Sequence, residues 1–297
     1  MRLLLLGGTG QVGKEFRALA IPSDVEVVAP SRAALDLEDA QEITRVVAAE
    51  PWSAIVNAAA YTDVDRAESE EGAAFAINAE APTRLAVETG RRGIPLIHIS
   101  TDYVFDGCKG TPYVEHDAAA PLNAYGRSKL AGERGVSAAN PRHMILRTSW
   151  VYSPYRENFV KSILRLAAER DHLAIVADQR GCPTAARDVA KACLRLAMAC
   201  AAAPETVPYG VYHFAGAGEA SWFEFAKEII ETAANRLGTA PQIVPIPTIE
   251  YPRPAVRAAD TRLDCTAAAR TFGIKPPPWR RALADTIDRL LPNKAIA

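Results

Sequence analysis

The chain has 297 residues, with 34 Lys and Arg against 35 Asp and Glu, a formal net charge of −1. That balance excludes a general electrostatic grip on nucleic acid, and a composition of 49% hydrophobic and 23% charged residues excludes a disordered chain. No apolar run approaches the ~18 residues of a membrane helix, and five scattered cysteines without a Cys-x-x-Cys pair fit neither a disulfide framework nor structural zinc.

The first 150 residues alternate short β-rich runs with Ala-rich helical stretches, as a parallel sheet covered by helices requires. An apolar run at 3–6 ending in glycine predicts a first buried strand, followed by a helix over 11–19 and a second strand over 25–29. Further along come a helix over 40–49, a central strand over 54–58, and a helical stretch over 67–89 interrupted at Pro82. A buried strand at 94–99, a helix around 125–136 and a strand at 144–147 complete this part. Beyond it, 158–170, 186–203 and 222–236 read as helices and 211–214 as a strand. Nine of the 21 prolines fall after residue 240, predicting loops and short elements there. The expected plan is an α/β protein: a Rossmann-type, doubly wound parallel sheet over 1–150, open to a later strand returning from the second half, and a smaller α/β substrate-binding part over 151–297. The apolar stretch after Arg2 stops at Gly7, short of a secretory h-region, so a soluble cytoplasmic protein without a membrane partner is expected.

The first strand runs into Gly7-Gly8-Thr9-Gly10-Gln11-Val12-Gly13, which satisfies G-x-G-x-x-G. One glycine permits the tight turn, one lets backbone approach a pyrophosphate, and the last lets helix pack on strand. The helix N-terminus then points its N–H groups at the anion. The second strand ends Pro30-Ser31-Arg32, with no carboxylate for a ribose 2′-hydroxyl and with an arginine able to pair with a 2′-phosphate. NADPH is therefore the expected cofactor, with NADH as an alternative, and Asp36 and Leu37 are candidates for the adenine end.

Tyr125-Gly126-Arg127-Ser128-Lys129 places a phenol and an ammonium at i and i+4, on one helical face. The ammonium is expected to lower the Tyr125 pKa toward acid–base duty near neutrality. The 94–99 strand ends in Ser100-Thr101-Asp102, and ligands in doubly wound sheets bind at such strand ends. Thr101, Tyr125 and Lys129 together make a carbonyl-polarising donor and a proton donor.

These blocks, with Val56–Tyr61 (Val-Asn-Ala-Ala-Ala-Tyr), Ser-Thr-Asp-Tyr-Val-Phe from Ser100, Arg-Thr-Ser-Trp-Val-Tyr from Arg147 and Asp-Gln-Arg-Gly-Cys-Pro-Thr from Asp178, resemble the extended branch of the short-chain dehydrogenase/reductase superfamily, and within it the dTDP-4-dehydrorhamnose reductase family, over nearly the whole chain. The resemblance implies an oxidoreductase of dTDP-rhamnose biosynthesis. Such an enzyme reduces the 4-keto group of dTDP-4-dehydro-6-deoxy-L-mannose, giving dTDP-L-rhamnose. It implies Tyr125 as proton donor, Thr101 as hydrogen-bond donor to the ketone, and Lys129 on the nicotinamide ribose. It further implies Gly7, Gly10, Gln11, Val12 and Gly13 at the pyrophosphate, and Ala59, Ala60, Tyr61 and Thr62 along the nicotinamide side. For the sugar nucleotide it implies Thr62, Val64, Thr101, Asp102 and Trp150, with Arg257 a looser candidate for the diphosphate. Some members hold Mg²⁺ through glutamates at a dimer interface. Glu15 stands at one such position, but Arg187 replaces a glutamate and the tail 291–297 has no carboxylate side chain, so no metal is expected. The assembly is read as monomer or homodimer. Three alternatives stay open: a reductase of another 4-keto sugar nucleotide, an epimerase or dehydratase of the superfamily, or a dinucleotide-binding regulatory subunit like the methionine adenosyltransferase β-subunit. His98 is read as a hydrogen-bonded core residue.

Overall fold

The computed structural model describes residues 1–237 and 241–291. Its first half runs β1 (Arg2–Leu6), α1 (Gln11–Arg17), β2 (Glu26–Val28), α2 (Ala40–Ala49), β3 (Ala54–Asn57), α3 (Glu71–Phe75), α4 (Ala81–Arg91), β4 (Leu96–Thr101), α5 (Ala124–Ala139) and β5 (His143–Thr148). The second half adds β6 (Val151–Tyr152), α6 (Phe159–Glu169), β7 (His172–Val176), β8 (Arg180–Gly181), β9 (Thr184–Ala185), α7 (Ala186–Ala202) and β10 (Gly210–His213). It closes with β11 (Ala220–Ser221), α8 (Trp222–Ala233), β12 (Gln242–Ile246), α9 (Thr266–Phe272) and α10 (Trp279–Leu290).

Six strands form one parallel sheet in the order β10-β5-β4-β3-β1-β2. Its central strands are near-continuous apolar runs because both faces are covered. Leu3, Leu5, Val56 and Ile97 face a core with Phe16 of α1 and Val189 and Cys193 of α7. Leu4, Leu6, Ile55 and Leu96 face the opposite core with Ile43 and Val47 of α2 and Leu85 of α4. α7 and β10 both follow residue 150, so the sheet layer draws on both halves of the chain. A separate core joins α6, α8 and α10 around Phe225, Ile163, Trp279 and Leu283.

The structure corrects the sequence reading in two places. The interruption expected at Pro82 lies just before it: Ala76–Glu80 is a π-helical turn, and Pro82 sits in the first turn of α4. Proline has no N–H to return to Asn78 four residues back, and a widened turn accommodates that loss. The proline-rich end contains a 12-residue amphipathic helix, α10, directly after Pro276–Pro278. Proline is disruptive inside a helix but tolerated at its start. Residues 292–297 of the tail lie outside the described residues.

Candidate active site

The chain crosses from β2 on one side of β1 to β3 on the other, and a crevice opens at the carboxyl ends of strands where such a reversal occurs. A cleft of about 1050 Å³ lies there, walled by Gly7, Gly10, Gln11 and Val12 at one bend and by Thr101, Tyr125 and Lys129 further along. Gly7 has φ +76°, and a Cβ on it would stand 2.6 Å from the backbone of Ala58 and Ala59. Gly13 lies behind the wall: its Cβ would meet the Gly7 carbonyl oxygen at 2.2 Å, so it seats α1 against the turn. Gly10 caps α1 without any side-chain hydrogen bond, leaving the first-turn N–H groups at the cleft. Gln11 is anchored by its side chain, which accepts from Ser153 Oγ at 2.9 Å and Asn158 Nδ2 at 3.1 Å.

At the far end the wall carries Arg32, Asp36 and Leu37. Arg32 is largely exposed and paired with Glu38 at 2.8 Å, while Asp36 accepts from the Glu38 backbone N–H. Ala59, Ala60, Tyr61, Thr62 and Val64 follow β3 along the cleft. The Tyr61 backbone is gripped from both sides by Asn78 (2.9 and 3.0 Å), whose amide also donates to Ser128 of α5. The sequence reading missed Asn78. Its signal was the proline four residues on, which places the π turn where this buried amide can reach both partners.

Tyr125 and Thr101 stand on the same stretch of the cleft wall. Burial raises the Tyr125 phenol above its ordinary range, which the Thr101 hydroxyl opposes and the nearby Asp102 and Tyr103 reinforce. The expected lowering by Lys129 is not found. Lys129 Nζ turns instead to the Ile99 carbonyl oxygen (2.7 Å), with His98 Nε2 at 3.4 Å. Spacing puts both groups on one face but does not fix where a long side chain ends. Lys129 is 1% exposed, and burial brings it down to about 8 against the opposing pull of Glu133. His98 is fully buried and held well below its ordinary value, first by burial and then by Lys129.

Asp102 borders the cleft, yet its carboxylate is turned inward: it accepts from Thr101 (3.1 Å), Ser149 (2.8 Å) and Thr261 (2.6 Å). Burial outweighs these three donors and raises it to about 6. The Glu133 carboxylate of α5 takes two hydrogen bonds from Arg147 of β5 and one from Ser100 at the end of β4. This buried pair clamps α5 to both strand ends.

The model of the RmlD substrate binding domain family matches residues 1–291. A dTDP-4-dehydrorhamnose reductase of Sinorhizobium fredii is 44% identical over 98% of each chain. The chain belongs to the dTDP-4-dehydrorhamnose reductase family. Among solved structures, the Clostridium acetobutylicum enzyme superposes with a TM-score of 0.90 at 34% identity, covering 98% of this chain and 99% of that one. The Bacillus anthracis enzyme, solved in complex with NADP, gives 0.89 at 34% identity, covering 97% and 99%.

In this family member Trp150 adopts φ +44° and stacks on Trp222, ring centroids 3.5 Å apart and ring planes nearly parallel. Both indoles wall the cleft, and a Cβ on Gly181 would strike the Trp150 ring at 2.4 Å. Trp222 was read only as the start of an amphipathic helix. Arg257 stands apart from the main wall, in a small adjoining hollow with Tyr103, Trp150 and Trp222, and is paired with Asp65 at 3.0 Å. Glu15, 1% exposed, is paired with Arg289 of α10 at 2.7 Å, and Arg187 is exposed. Among the described residues no group of three or more His, Cys, Asp and Glu is placed to hold a metal ion.

Proposed function

We propose that the protein is an NADPH-dependent reductase of the 4-keto group of dTDP-4-dehydrorhamnose, producing dTDP-L-rhamnose in the last step of dTDP-rhamnose biosynthesis, in the cytoplasm. One observation carries the reading: a side-chain-free glycine turn and the Thr101–Tyr125–Lys129 group stand on the wall of a single cleft, in a chain of this family. The residues fit a dinucleotide. Gly10 leaves the α1 amides open to a pyrophosphate, and Arg32 offers a guanidinium to a 2′-phosphate in exchange for Glu38.

In this reading Gly7, Gly10, Gln11 and Val12 form the pyrophosphate cradle with Gly13 seating the helix behind it, Arg32, Asp36 and Leu37 take the adenosine end, and Ala59 to Thr62 flank the nicotinamide. NADPH, when bound, supplies the hydride for sugar C4. Tyr125, kept protonated by burial, donates its hydroxyl proton to the ketone oxygen as negative charge develops there. Thr101 donates a second hydrogen bond to the same oxygen, its one hydroxyl proton turning from the Asp102 carboxylate to the ketone when the sugar arrives. Lys129 holds the nicotinamide ribose. Thr62, Val64 and Trp150, with its partner Trp222, enclose the deoxysugar, which offers an apolar face to an indole. Arg257 takes the diphosphate by exchanging its Asp65 partner for phosphate oxygens. The guanidinium already paired with Glu15 supports a reaction without Mg²⁺ at that position.

The test mixes purified protein with dTDP-4-dehydrorhamnose and NADPH and follows the absorbance of reduced nicotinamide. Sugar-dependent oxidation yielding dTDP-L-rhamnose is expected; NADPH binding without any sugar-dependent oxidation would overturn the reading.

A further inference from the structure

Behind Lys129 lies a buried chain of polar groups that the reduction as written above does not use. The Ala59 backbone N–H donates to Asn57 Oδ1 at 3.1 Å, Asn57 Nδ2 lies 3.2 Å from His98 Nδ1, and His98 Nε2 lies 3.4 Å from Lys129 Nζ. Asn57 and His98 are 2% and 0% exposed. Asn57 ends β3 and His98 lies midway along β4, behind the cleft wall on which Ala59 and, from α5, Lys129 stand.

The direction of this chain is fixed at one end. A backbone N–H only donates, so Asn57 must present its carbonyl oxygen to Ala59 and its amide nitrogen to His98. His98 Nδ1 is then the acceptor, and the single ring proton of the neutral imidazole sits on Nε2, facing Lys129. An ammonium at Nζ would oppose N–H to N–H across that contact. A neutral amine would accept from Nε2–H and still donate to the Ile99 carbonyl oxygen at 2.7 Å. The other titratable or charged neighbours are Glu133 and Tyr125 on the same helix. Glu133 is already engaged by Arg147 of β5 and by Ser100, and β3 contributes only the uncharged Asn57. Burial acts on Lys129 in the same direction as the imidazole N–H, and Glu133 acts against both.

We propose that His98 is a positioning residue for Lys129: its Nε2–H, oriented by Asn57 and the Ala59 amide, holds Nζ at the Ile99 carbonyl and sets how many protons Lys129 presents to the cleft. The effect on turnover rests on the reductase reading; the tautomer and the Lys129 charge state do not.

The experiment has two arms on the full-length protein. In the first, imidazole ¹⁵N spectra, with His98 assigned by its absence in His98→Phe, should show a neutral ring with the proton on Nε2 across the neutral pH range. A proton on Nδ1, or an imidazolium near neutrality, would overturn the proposal without any need for substrate. In the second arm, Asn57→Asp reverses the chain. The new carboxylate accepts from both Ala59 N–H and an imidazole Nδ1–H, so Nε2 becomes an acceptor for the ammonium. The Lys129 titration, followed by ¹³Cε shifts, should rise by about one pH unit or more, and the pH dependence of kcat should move with it. A titration that stays put, or one that moves while the pH profile of turnover does not, overturns the proposal. Because the new carboxylate also favours the ammonium through space, the rise must depend on the imidazole: a purely structural role for His98 would leave the Lys129 rise the same in Asn57→Asp and in Asn57→Asp combined with His98→Phe. If the wild type shows no sugar-dependent oxidation, the reductase reading fails, and the spectra still decide the tautomer and the Lys129 charge.

Discussion

Asp102→Asn isolates the cost of keeping a carboxylate in a dry wall. The unfolded carboxyl titrates near 3.8, and burial lifts the folded one to about 6 despite hydroxyl donors from Thr101, Ser149 and Thr261. Because the folded value is raised, the folded state binds this proton more tightly than the unfolded chain does. The resulting stability is fully present below the unfolded value and is lost as pH rises through about 6. A rise of this size removes about 2 kcal/mol between roughly pH 4.5 and 8. An asparagine has no proton to lose, and the three hydroxyls can each rotate to donate or accept, so the variant escapes that loss. Urea denaturation of both proteins at the two pH values, read by linear extrapolation with the slopes compared, measures it. The variant should gain on the wild type by about 2 kcal/mol on going to the alkaline condition. A gap between the two proteins that is constant with pH, or that closes toward alkaline pH, would refute the reasoning.

Tyr125→Phe should lower turnover by about 10²–10⁴-fold, the usual worth of a positioned proton donor, while NADPH binding by fluorescence survives; near-wild-type turnover would remove Tyr125 from that role. Arg32→Ala breaks only an exposed ion pair worth about 0–1 kcal/mol, so stability should hold while KM for NADPH rises relative to NADH; an unchanged preference would sink its assignment to the 2′-phosphate. Glu133→Leu leaves the Arg147 guanidinium buried without its carboxylate and should cost about 3–5 kcal/mol in urea denaturation. Adding Arg147→Met should recover much of that loss, and strict additivity of the two changes would argue against the clamp.

The glycine turn and the strand–helix alternation were legible because they are local: a run of four leucines ending in glycine can do little else before an amphipathic segment. Thr101, Tyr125 and Lys129 were legible as types at a spacing, and the structure brings all three to one wall. The direction of the Tyr125 shift was not legible. It depends on burial and on the Lys129 rotamer, and sequence separation encodes neither. Trp222 was hidden for another reason, since its partner Trp150 comes from the link between β5 and β6, far away in sequence, and no periodicity links the two. Asn78 was hidden inside a stretch that reads as ordinary helix, and α10 behind a proline run that reads as loop.

Register turns these residues into a site. β4 and β5 pair in parallel with Ser100 opposite Arg147 and Thr101 opposite Thr148, so the polar ends of two apolar strands stop level with each other. Side chains alternate between the faces of a strand, so Ser100 and Arg147 both point toward α5 and meet at Glu133, while the Thr101 hydroxyl turns to Asp102. A slip of one residue between these strands would send Arg147 to the α7 side and leave Glu133 as an unpaired buried charge, costing about 3–5 kcal/mol. The same slip would turn the Ser149 hydroxyl away from the Asp102 carboxylate. The buried ion pair therefore holds the register that sets Thr101 level with Thr148 at the cleft. This explains why a charge pair that apolar residues of equal volume could replace in stability is placed directly under the helix that carries Tyr125 and Lys129.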